Sequence, residues 1–437
     1  MNSSLLSHVE GNRNVNYLAA LDFIISLGFG LILPLFPLYV EFLGGGTEEV
    51  GLEVGILFSS FVLTRALLAT PFGNFSDRIG RKRLILIGSF LYAFLAVLFT
   101  VPSTWVGLIF VRSLQGVASA MVWPVSEALV IDSCPVDRRG ASLGKIVMSS
   151  NLGMVLGPFV GGGLFLFAQD FLNMDDMGSY KFPFYITAVV SLIGAVLVWM
   201  YVTDARRPQD QRRKISFRKL LRPDGMDKPS LRNLNLLYAN AAIEGFSFAS
   251  IGPMMVLFLS LKFNLTADFA AFVIGIGMGL GALVAYPSGR LADRIGKKKM
   301  FVLGGYIAFI GTMLIPFDWG IVVTVDYALI ATIVFLGMRS MAFQVASPAL
   351  RAMQADAVPS EIRGRLIGML ESMNNIGSVV GGVAGGFLWD LFSSREFGLF
   401  AQDGAMIPFL VSGVMGLFTV SLVLLFVRER RLASSVG

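Results

Sequence analysis

A short motif occurs twice in this chain, and each copy lies between two long apolar segments. Residues 71–83 read PFGNFSDRIGRKR, and residues 287–299 read PSGRLADRIGKKK. An internal repeat of this kind predicts a repeated structural unit. The flanking segments fall within the roughly 17–25 residues that a helix needs to cross a bilayer. We therefore expect two similar membrane-embedded halves, each with a basic turn at the membrane face.

Hydrophobic residues make up 55% of the chain and charged residues only 15%, with 37 Phe and 48 Gly among 437 residues. A soluble core cannot bury that much apolar surface. Apolar segments of spanning length lie at 17–41, 51–72, 84–101, 105–131, 143–168, 182–202, 234–261, 266–288, 300–317, 321–350, 364–391 and 405–427. The predicted fold class is an all-α polytopic membrane protein with twelve transmembrane helices in two six-helix halves. The first segment is too long for a cleaved signal peptide, so we expect it to be retained after a polar, disordered tail, Met1–Asn16.

The positions of the 35 Lys and Arg residues indicate the orientation of these spans. With both termini in the cytoplasm, only Lys181, Lys262 and Arg395 fall on outer loops, as the positive-inside rule requires. The basic stretch 206–232 separates the halves. We expect an N-terminal half at 1–202, a cytoplasmic linker at 203–233 and a C-terminal half at 234–437.

The repeat continues beyond the opening motif at a constant offset. The matched residues are Pro124, Asp132, Pro135, Arg139, Gly140, Gly144, Gly153, Gly157, Gly161 and Gly162 in the first half, and Pro348, Asp356, Pro359, Arg363, Gly364, Gly368, Gly377, Gly381, Gly385 and Gly386 in the second. An even number of spans per half makes the repeats parallel. Parallel repeats place a substrate site at their interface, near the membrane midplane.

The pattern Gly73-x3-Asp77-Arg78-x-Gly80-Arg81-Lys82 resembles the cytoplasmic-loop signature of the major facilitator superfamily, and the resemblance covers essentially the whole chain. Three further motifs are similar to those of tetracycline and multidrug/proton antiporters. They are Ala20-Leu21-Asp22 with Gly28-Phe29-Gly30-Leu31-Ile32-x-Pro34, Arg112-x2-Gln115-Gly116, and Gly153-x3-Gly157-Pro158-x2-Gly161-Gly162. The resemblance implies proton-coupled export, with Arg112 in the proton-coupling motif and the span-five glycines in the antiporter motif.

For the loop signature, the resemblance implies a conformational latch. In that family Arg81 pairs with Asp132, and Asp77 reaches the start of span eleven near Arg363. By the repeat, Lys297 would pair with Asp356, and Asp293 would reach the start of span five near Arg139. The latch set is Gly73, Asp77, Arg78, Gly80, Arg81, Asp132, Gly289, Asp293, Lys297 and Asp356. An ammonium cannot reproduce the bidentate grip of a guanidinium, so we expect the first copy to control opening. The alternative is that these charges, Arg78 above all, only anchor loops.

Ionisable residues inside the spans are the second signal, because each costs several kcal/mol in lipid unless it meets a partner or a cavity. They are Asp22, Arg65, Arg112, Glu127, Glu244, Arg339, Arg351 and Glu371. Glu244 is the deepest acid, about 15 Å from the cytoplasmic end at 1.5 Å per residue. A desolvated carboxyl group can bind and release a proton within one transport cycle. We predict proton coupling through Asp22, Glu244 and Arg112, with Arg65 available to neutralise Asp22.

Several residues are candidates for the substrate cavity. Trp123, Phe246 and Phe248 offer an aromatic surface, although plain packing is the alternative in so Phe-rich a chain. Glu127 and Arg351 occupy equivalent repeat positions and either face each other or find partners within their own halves.

The glycines of the spans predict close helix packing. Gly153, Gly157 and Gly161 recur every four residues with Pro158 beside them, which suits a kinked helix that seals or rocks against the opposite half. The string from Gly275 to Gly281 resembles a nucleotide loop only as letters, because it lies inside an apolar span.

The predicted function is alternating-access, proton-coupled efflux of small lipophilic or cationic compounds by a monomer in the cell membrane. The expected partners are a small-molecule substrate, protons and lipids, without nucleic acid, cofactor or metal. The chain has one His, one Cys and neither H-E-x-x-H nor G-x-S-x-G, so an enzyme is not expected. A proton symporter or a lipid or metabolite exporter on the same fold, and a non-transporting membrane sensor, remain alternatives.

Overall fold

The computed structural model describes residues 3–44, 50–135, 138–204, 228–317, 325–356, 363–395, 397 and 403–427. These residues are mostly α-helical and contain no strand. The helices are α1 (Ser3–Ile32), α2 (Phe36–Gly44), α3 (Val50–Ile79), α4 (Arg81–Leu98), α5 (Trp105–Ser133), α6 (Arg139–Asp170), α7 (Asp176–Tyr201), α8 (Lys228–Phe263), α9 (Ala267–Ile295), α10 (Lys297–Leu314), α11 (Val325–Asp356), α12 (Arg363–Phe392) and α13 (Ile407–Phe426), with a 3₁₀ turn at Asp403–Met406.

Nine helices among the described residues are long and apolar enough to cross a membrane. Three further predicted spans, at 84–101, 300–317 and 364–391, correspond to α4, α10 and α12. Helices α4 and α10 have 18 residues each and begin with three basic residues, which shortens their apolar part. Helix α12 has 30 residues and carries polar residues in its middle turns. All three helices therefore have the predicted length, but they contain too many charged or polar residues to be counted among the nine.

The first predicted span, 17–41, is wrong in two respects. The backbone is helical from Ser3, where a disordered tail was expected, and the span is divided into α1 and α2 by a turn at residues 33–35. Pro34 has no N–H to continue the α1 ladder, which accounts for the interruption. The sequence pattern shows only one apolar run because the turn residues are themselves apolar.

Buried Asn14 explains why the polar start of α1 is ordered. Its Nδ2 donates to Ser133 Oγ at 3.0 Å and to the Thr203 carbonyl at 2.9 Å, and its Oδ1 accepts from the Thr203 N–H at 3.0 Å. At the next turn, Lys145 Nζ donates to Asn16 Oδ1 at 2.6 Å. Asn14 and Asn16 thus join α1 to the C-terminal ends of α5 and α7 and to α6.

The chain divides into two compact units. The first comprises residues up to 210 together with Pro253–Gly275, and the second comprises residues 211–252 together with 276–437. Helices α8 and α9 are therefore shared, since the end of α8 and the start of α9 group with the first unit. The sequence repeat predicts a division at residues 203–233, whereas the contacts between residues divide the chain within α8 and α9 as well.

In the first unit, the predicted glycine stripe of α6 packs against α1. A methyl group at Gly153 would overlap the Phe23 carbonyl oxygen, one at Gly157 would lie 2.5 Å from the Gly30 backbone, and one at Gly161 would overlap the Leu31 carbonyl oxygen. The stripe of Gly153, Gly157 and Gly161 thus packs on a helix of its own half, and movement of α6 against the opposite half stays a prediction. Within the first unit, Gly162 packs against α9 instead, with Asp268 nearby.

The second unit repeats this packing between α12 and α8. Methyl groups at Gly377, Gly381 and Gly385 would overlap the backbone of Ala242, Phe246 and Ser250, respectively. Nearby polar side chains add hydrogen bonds to main-chain carbonyls. Asn374 Nδ2 donates to Ala241, Ser378 Oγ donates to Gly245, and the Ser247 and Ser412 hydroxyls donate to each other's carbonyls, all at 3.2 Å. Small residues and interhelical hydrogen bonds are the usual means of holding helices together in lipid.

Replacing Gly157 by Ala tests the α1–α6 contact. The new methyl group cannot be accommodated without moving the α1 backbone, and overpacking of this kind costs about 1–3 kcal/mol. We expect a clearly lower thermal midpoint, followed by the loss of the monodisperse peak in size-exclusion chromatography. Gly163→Ala is the matched control, because nothing lies within 4 Å of its added methyl group. Equal midpoints for the two variants would contradict the packing described.

Candidate functional site

The turn between α3 and α4 is built around Gly80, whose φ of 99° is left-handed. The turn between α9 and α10 repeats it at Gly296, with a φ of 104°. Only glycine enters this region without steric cost, so the repeated motif fixes the same sharp turn twice. Gly73 differs, because a methyl group there would meet nothing within 4 Å in this structure.

Arg81 binds two carboxylates inside the first unit. Its Nη2 lies 3.0 Å from Asp132 Oδ2 at the inner end of α5 and 3.5 Å from Asp77 Oδ1 one turn earlier. The Arg81 side chain is buried, whereas Arg78 is exposed. The Arg81–Asp132 pair implied by the family resemblance is therefore present, and Asp77 completes a three-membered charge cluster that ties the loop to α5.

Asp204 is a functional residue that the sequence reasoning missed. Its Oδ1 accepts from the Lys82 N–H at 2.8 Å, and Lys82 Nζ donates to the Trp199 carbonyl at 2.8 Å. Gly80 has no side chain to cap α4, so Asp204 supplies the carboxylate that satisfies a free N–H at the positive end of that helix. No local pattern in the sequence joins residue 204 to residue 82.

The second copy of the loop is described only in part. Lys298 Nζ donates to the Val427 carbonyl at 2.6 Å, which parallels the bond from Lys82 to the end of α7. The side chains of Asp293, Asp356 and Arg363 lie outside the described residues, as does any local contact of Gly289. The predicted Lys297–Asp356 pair, and those from Asp77 and Asp293 to spans eleven and five, stay predictions.

In the first unit, Asp22 is 1% exposed, and its Oδ1 has no hydrogen-bond partner among the described residues. The charged group that acts on it is Glu127 of α5. Glu127 is exposed within this unit. Two acids that the sequence treated separately therefore act on each other electrostatically, and they repel each other when both are ionised.

Arg112 is held by aromatic rings. Its Cζ lies 5.2, 5.0 and 4.9 Å from the ring centroids of Phe29, Phe36 and Phe61, respectively. Its Nη1 donates to Gln115 Oε1, and its Nε is buried without a hydrogen-bond partner in the described structure. Arg112 is 3% exposed, and the three rings that surround it belong to α1, α2 and α3. Cation–π attraction therefore replaces a carboxylate here.

Arg65 also lies over an aromatic ring. Its Cζ lies 4.9 Å from the centroid of Trp123, whose ring also meets Phe29 edge-on at 6.5 Å. The ion pairs found among the described residues belong to Arg81, so the expectation that Arg65 neutralises Asp22 is wrong. Phe29 links the two cations, because its ring contacts the guanidinium group of Arg112 and the rings of Phe61 and Trp123.

The second unit also has an acid inside a membrane span. Glu244 of α8 is half-buried, and its charged neighbours are Arg351 of α11 and Glu371 of α12. Arg351 acts on Glu244, and Glu127 acts on Asp22, each within its own unit, while a Glu127–Arg351 pair stays a prediction. Phe248 is exposed, whereas Phe246 packs its backbone on Gly381. The structure does not bring Phe246 and Phe248 together as one described aromatic surface.

A bundle of membrane-length helices, duplicated in sequence and carrying charged side chains inside its spans, defines a membrane transporter. The chain belongs to the Major Facilitator Superfamily, whose model matches residues 18–236 and again residues 237–436. Members of this family are transporters rather than enzymes.

Individual relatives agree with the family. An uncharacterized MFS-type transporter of Methanocaldococcus jannaschii is 27% identical over 92% of this chain and 97% of its own. The multidrug resistance protein MdtG of Proteus mirabilis is 29% identical over 84% of this chain and 86% of its own. Among solved structures, an inward-facing, occupied bacterial homolog of the human lysosomal transporter Spinster has a TM-score of 0.73, at 17% identity over 93% of this chain and 95% of its own.

These matches confirm the predicted all-α fold of twelve membrane helices in two halves, and the resemblance to the drug/proton antiporter branch. They also exclude the non-transporting sensor, because members of this family are transporters and the Methanocaldococcus jannaschii relative is named as one. The roles of individual residues rest on the geometry above.

Asp204→Ala tests the cap on α4. Loss of a capping carboxylate costs about 0.5–2 kcal/mol, so we expect a lower free energy of unfolding. Asp204→Asn keeps the acceptor oxygen and should lose less. Asp170→Ala removes an exposed acid at the end of α6 and serves as the control. The cap is excluded if all three variants unfold together with the parent protein in a thermal or denaturant titration.

Proposed function

We propose that this transporter exports small lipophilic or cationic compounds in exchange for protons, by alternating access. The observation that carries the proposal is the Asp22–Glu127 site. Asp22 is buried in a membrane span with an unsatisfied oxygen and another acid as its charged neighbour. The names of relatives such as MdtG of Proteus mirabilis support a multidrug-type substrate range.

The chemistry of two neighbouring acids explains how exchange can be coupled. A pair of carboxylates in a membrane span repels itself and loses hydration, so it is stabilised by one added positive charge. Either a proton or the cationic group of a substrate supplies that charge. When one replaces the other, the site stays compensated throughout the cycle, and entry of a proton favours departure of the substrate.

Glu244 provides a second proton-responsive site in the second unit. Its neighbours Arg351 and Glu371 bring one positive and one negative charge to it. With both acids ionised the cluster carries a net negative charge, and protonation of Glu244 removes it. We assign Asp22 and Glu244 to proton coupling, with Trp123 and Glu127 on the substrate side.

Arg112 is assigned a positioning role. Its partners are Gln115 and aromatic rings, one of which belongs to Phe29 on the helix that carries Asp22. Asp22 and Phe29 are seven residues apart on α1, or about 10 Å at 1.5 Å per residue. Arg112 therefore acts on Asp22 through α1 rather than by direct contact.

The loop cluster of Asp77, Arg81 and Asp132 is assigned to the latch. Its bonds hold α3, α4 and α5 together at the basic turn, and a transport cycle that moves this turn must break or carry them. The remaining assignments are a monomer in the cell membrane, with both termini in the cytoplasm. The halves are assigned to residues 1–202 and 234–437, joined by a linker at 203–233.

Asp22→Asn and Glu244→Gln test proton coupling. Each variant keeps the shape of the side chain but cannot exchange a proton, so we expect proton-driven export to fall to background while folded protein remains in the membrane. The measurement is substrate efflux from proteoliposomes under an imposed pH gradient. Asp170→Asn is the control, since it removes a carboxylate outside both sites. Full export by both variants would exclude the assignment.

The direction of coupled proton flux distinguishes export from import. Reconstituted protein is offered lipophilic cations, such as ethidium or tetraphenylphosphonium, on one side of the membrane while the lumenal pH is recorded. Antiport predicts that protons and substrate move in opposite directions, whichever side is loaded. Movement in the same direction would indicate a symporter, and the absence of coupled flux with any compound would contradict proton-driven transport.

A further inference from the structure

Arg65 is a cation in a membrane span that no carboxylate among the described residues pairs with. It lies at the middle of α3, and its guanidinium group covers the indole of Trp123 at 4.9 Å. The two ion pairs described above are made by Arg81, and neither involves Arg65. Both Arg65 and Trp123 are half-buried. A charged group at this depth is not stable against lipid, so the accessible side of the pair faces water or a polar ligand.

Trp123 belongs to the same site as the two acids. It precedes Glu127 by four residues on α5, and residues at this spacing lie on one face of a helix. Glu127 is in turn the charged neighbour of Asp22. The indole is therefore the aromatic part of a site whose ionic part is the Asp22–Glu127 pair.

An aromatic face beside acidic groups is the arrangement that attracts lipophilic cations. In this structure, that face is already covered by a cation of the protein itself. The charged end of a ligand and the guanidinium group of Arg65 cannot occupy the same position over the indole. Arg65 therefore competes with any cationic ligand for Trp123, whereas a ligand with negative charge gains an attractive partner.

Tyr92 offers a hydrogen-bond acceptor to an Arg65 side chain that a ligand has displaced from Trp123. The hydroxyl group of Tyr92 is buried without a hydrogen-bond partner in the described structure, and Arg65 and Arg112 are the two cations that act on it. A guanidinium group that leaves the indole can donate to this oxygen. The exchange then replaces one favourable contact with another, which keeps the displacement from costing the full cation–π energy.

We propose that Arg65 is a specificity-determining residue, which acts as an internal cation on Trp123 and sets the preference of the site between cationic and anionic lipophilic ligands. The inference rests on the proposed function, because it assumes that Trp123, Glu127 and Asp22 bind the transported compound. It goes beyond that function because it assigns the preference between cationic and anionic ligands to the side chain of Arg65.

Two probes of the same shape and opposite charge test this directly. Tetraphenylphosphonium and tetraphenylborate are each bound to the purified full-length protein in nanodiscs by equilibrium dialysis, with empty nanodiscs as background. Arg65→Gln removes the charge and keeps a planar polar end. Arg65→Lys keeps the charge without the planar group. Lys145→Gln is the control, because it removes one positive charge from the same unit at its bond to Asn16, away from Trp123.

In Arg65→Gln we expect tetraphenylphosphonium to bind more tightly and tetraphenylborate more weakly. A cation–π contact of about 0.5–2 kcal/mol corresponds to a roughly two- to thirtyfold change in the ratio of the two dissociation constants. Arg65→Lys should stay close to the parent protein, and Lys145→Gln should leave the ratio unchanged. Adding Trp123→Leu to Arg65→Gln should abolish the gain for the cation, which shows that the effect is exerted on the indole.

Two results would overturn the inference: an unchanged ratio of the two dissociation constants in Arg65→Gln, or no binding of tetraphenylphosphonium even after Arg65 is removed. Failure of the proposed function gives a different result. In that case the ratio would still shift in the binding assay, while no proton-coupled flux of either probe would be found in proteoliposomes.

Discussion

The need to stabilise ionised side chains inside membrane spans determines how the first unit is built. Three solutions occur side by side. Arg81 is buried between two carboxylates, Arg112 is enclosed by phenyl rings, and Asp22 is left beside another acid. The first two arrangements surround the charge with groups that attract it. The third does not, since Asp22 is buried with another acid as its charged neighbour, and this is why it is proposed as the proton-coupling residue.

The two halves share a backbone plan and differ in chemistry. Both use a glycine with positive φ at the basic turn, and both pack a glycine stripe of one helix on the backbone of another. The charged residues are not copied in the same way. Arg339 stands at the repeat position of Gln115, and it donates from Nε to Thr312 Oγ1 at 2.9 Å, so the second half has a cation where the first has the acceptor for Arg112. The two halves therefore share their steric features but differ in their polar side chains.

The difference between steric and polar features also explains what could be predicted from the sequence. The helices, their repeat and the tight glycine contacts follow from apolar length and from small residues at a spacing of four, which are local patterns. The Arg81–Asp132 pair was accessible through the family signature. The partners of Arg65, Arg112 and Asp204 were not, because each joins helices far apart in the chain, and an arginine can be satisfied by an acid or by an aromatic ring equally well. The polar start of α1 was misjudged for the same reason, since Asn14 finds its acceptors at residues 133 and 203.

The three antiporter-like motifs, which are separate in the sequence, meet at α1. Asp22 lies on this helix, Phe29 one or two turns further on forms part of the enclosure of Arg112, and the backbone at Phe23, Gly30 and Leu31 receives the glycine stripe of α6. Contacts with a glycine stripe have almost no free volume, so α1 cannot shift without carrying α6 or breaking the contact. A change of charge at Asp22 that moves α1 therefore also changes the position of Phe29 against Arg112. One helix thus connects buried Asp22, the aromatic enclosure and the packing stripe, which gives a physical reason for the three motifs to occur together.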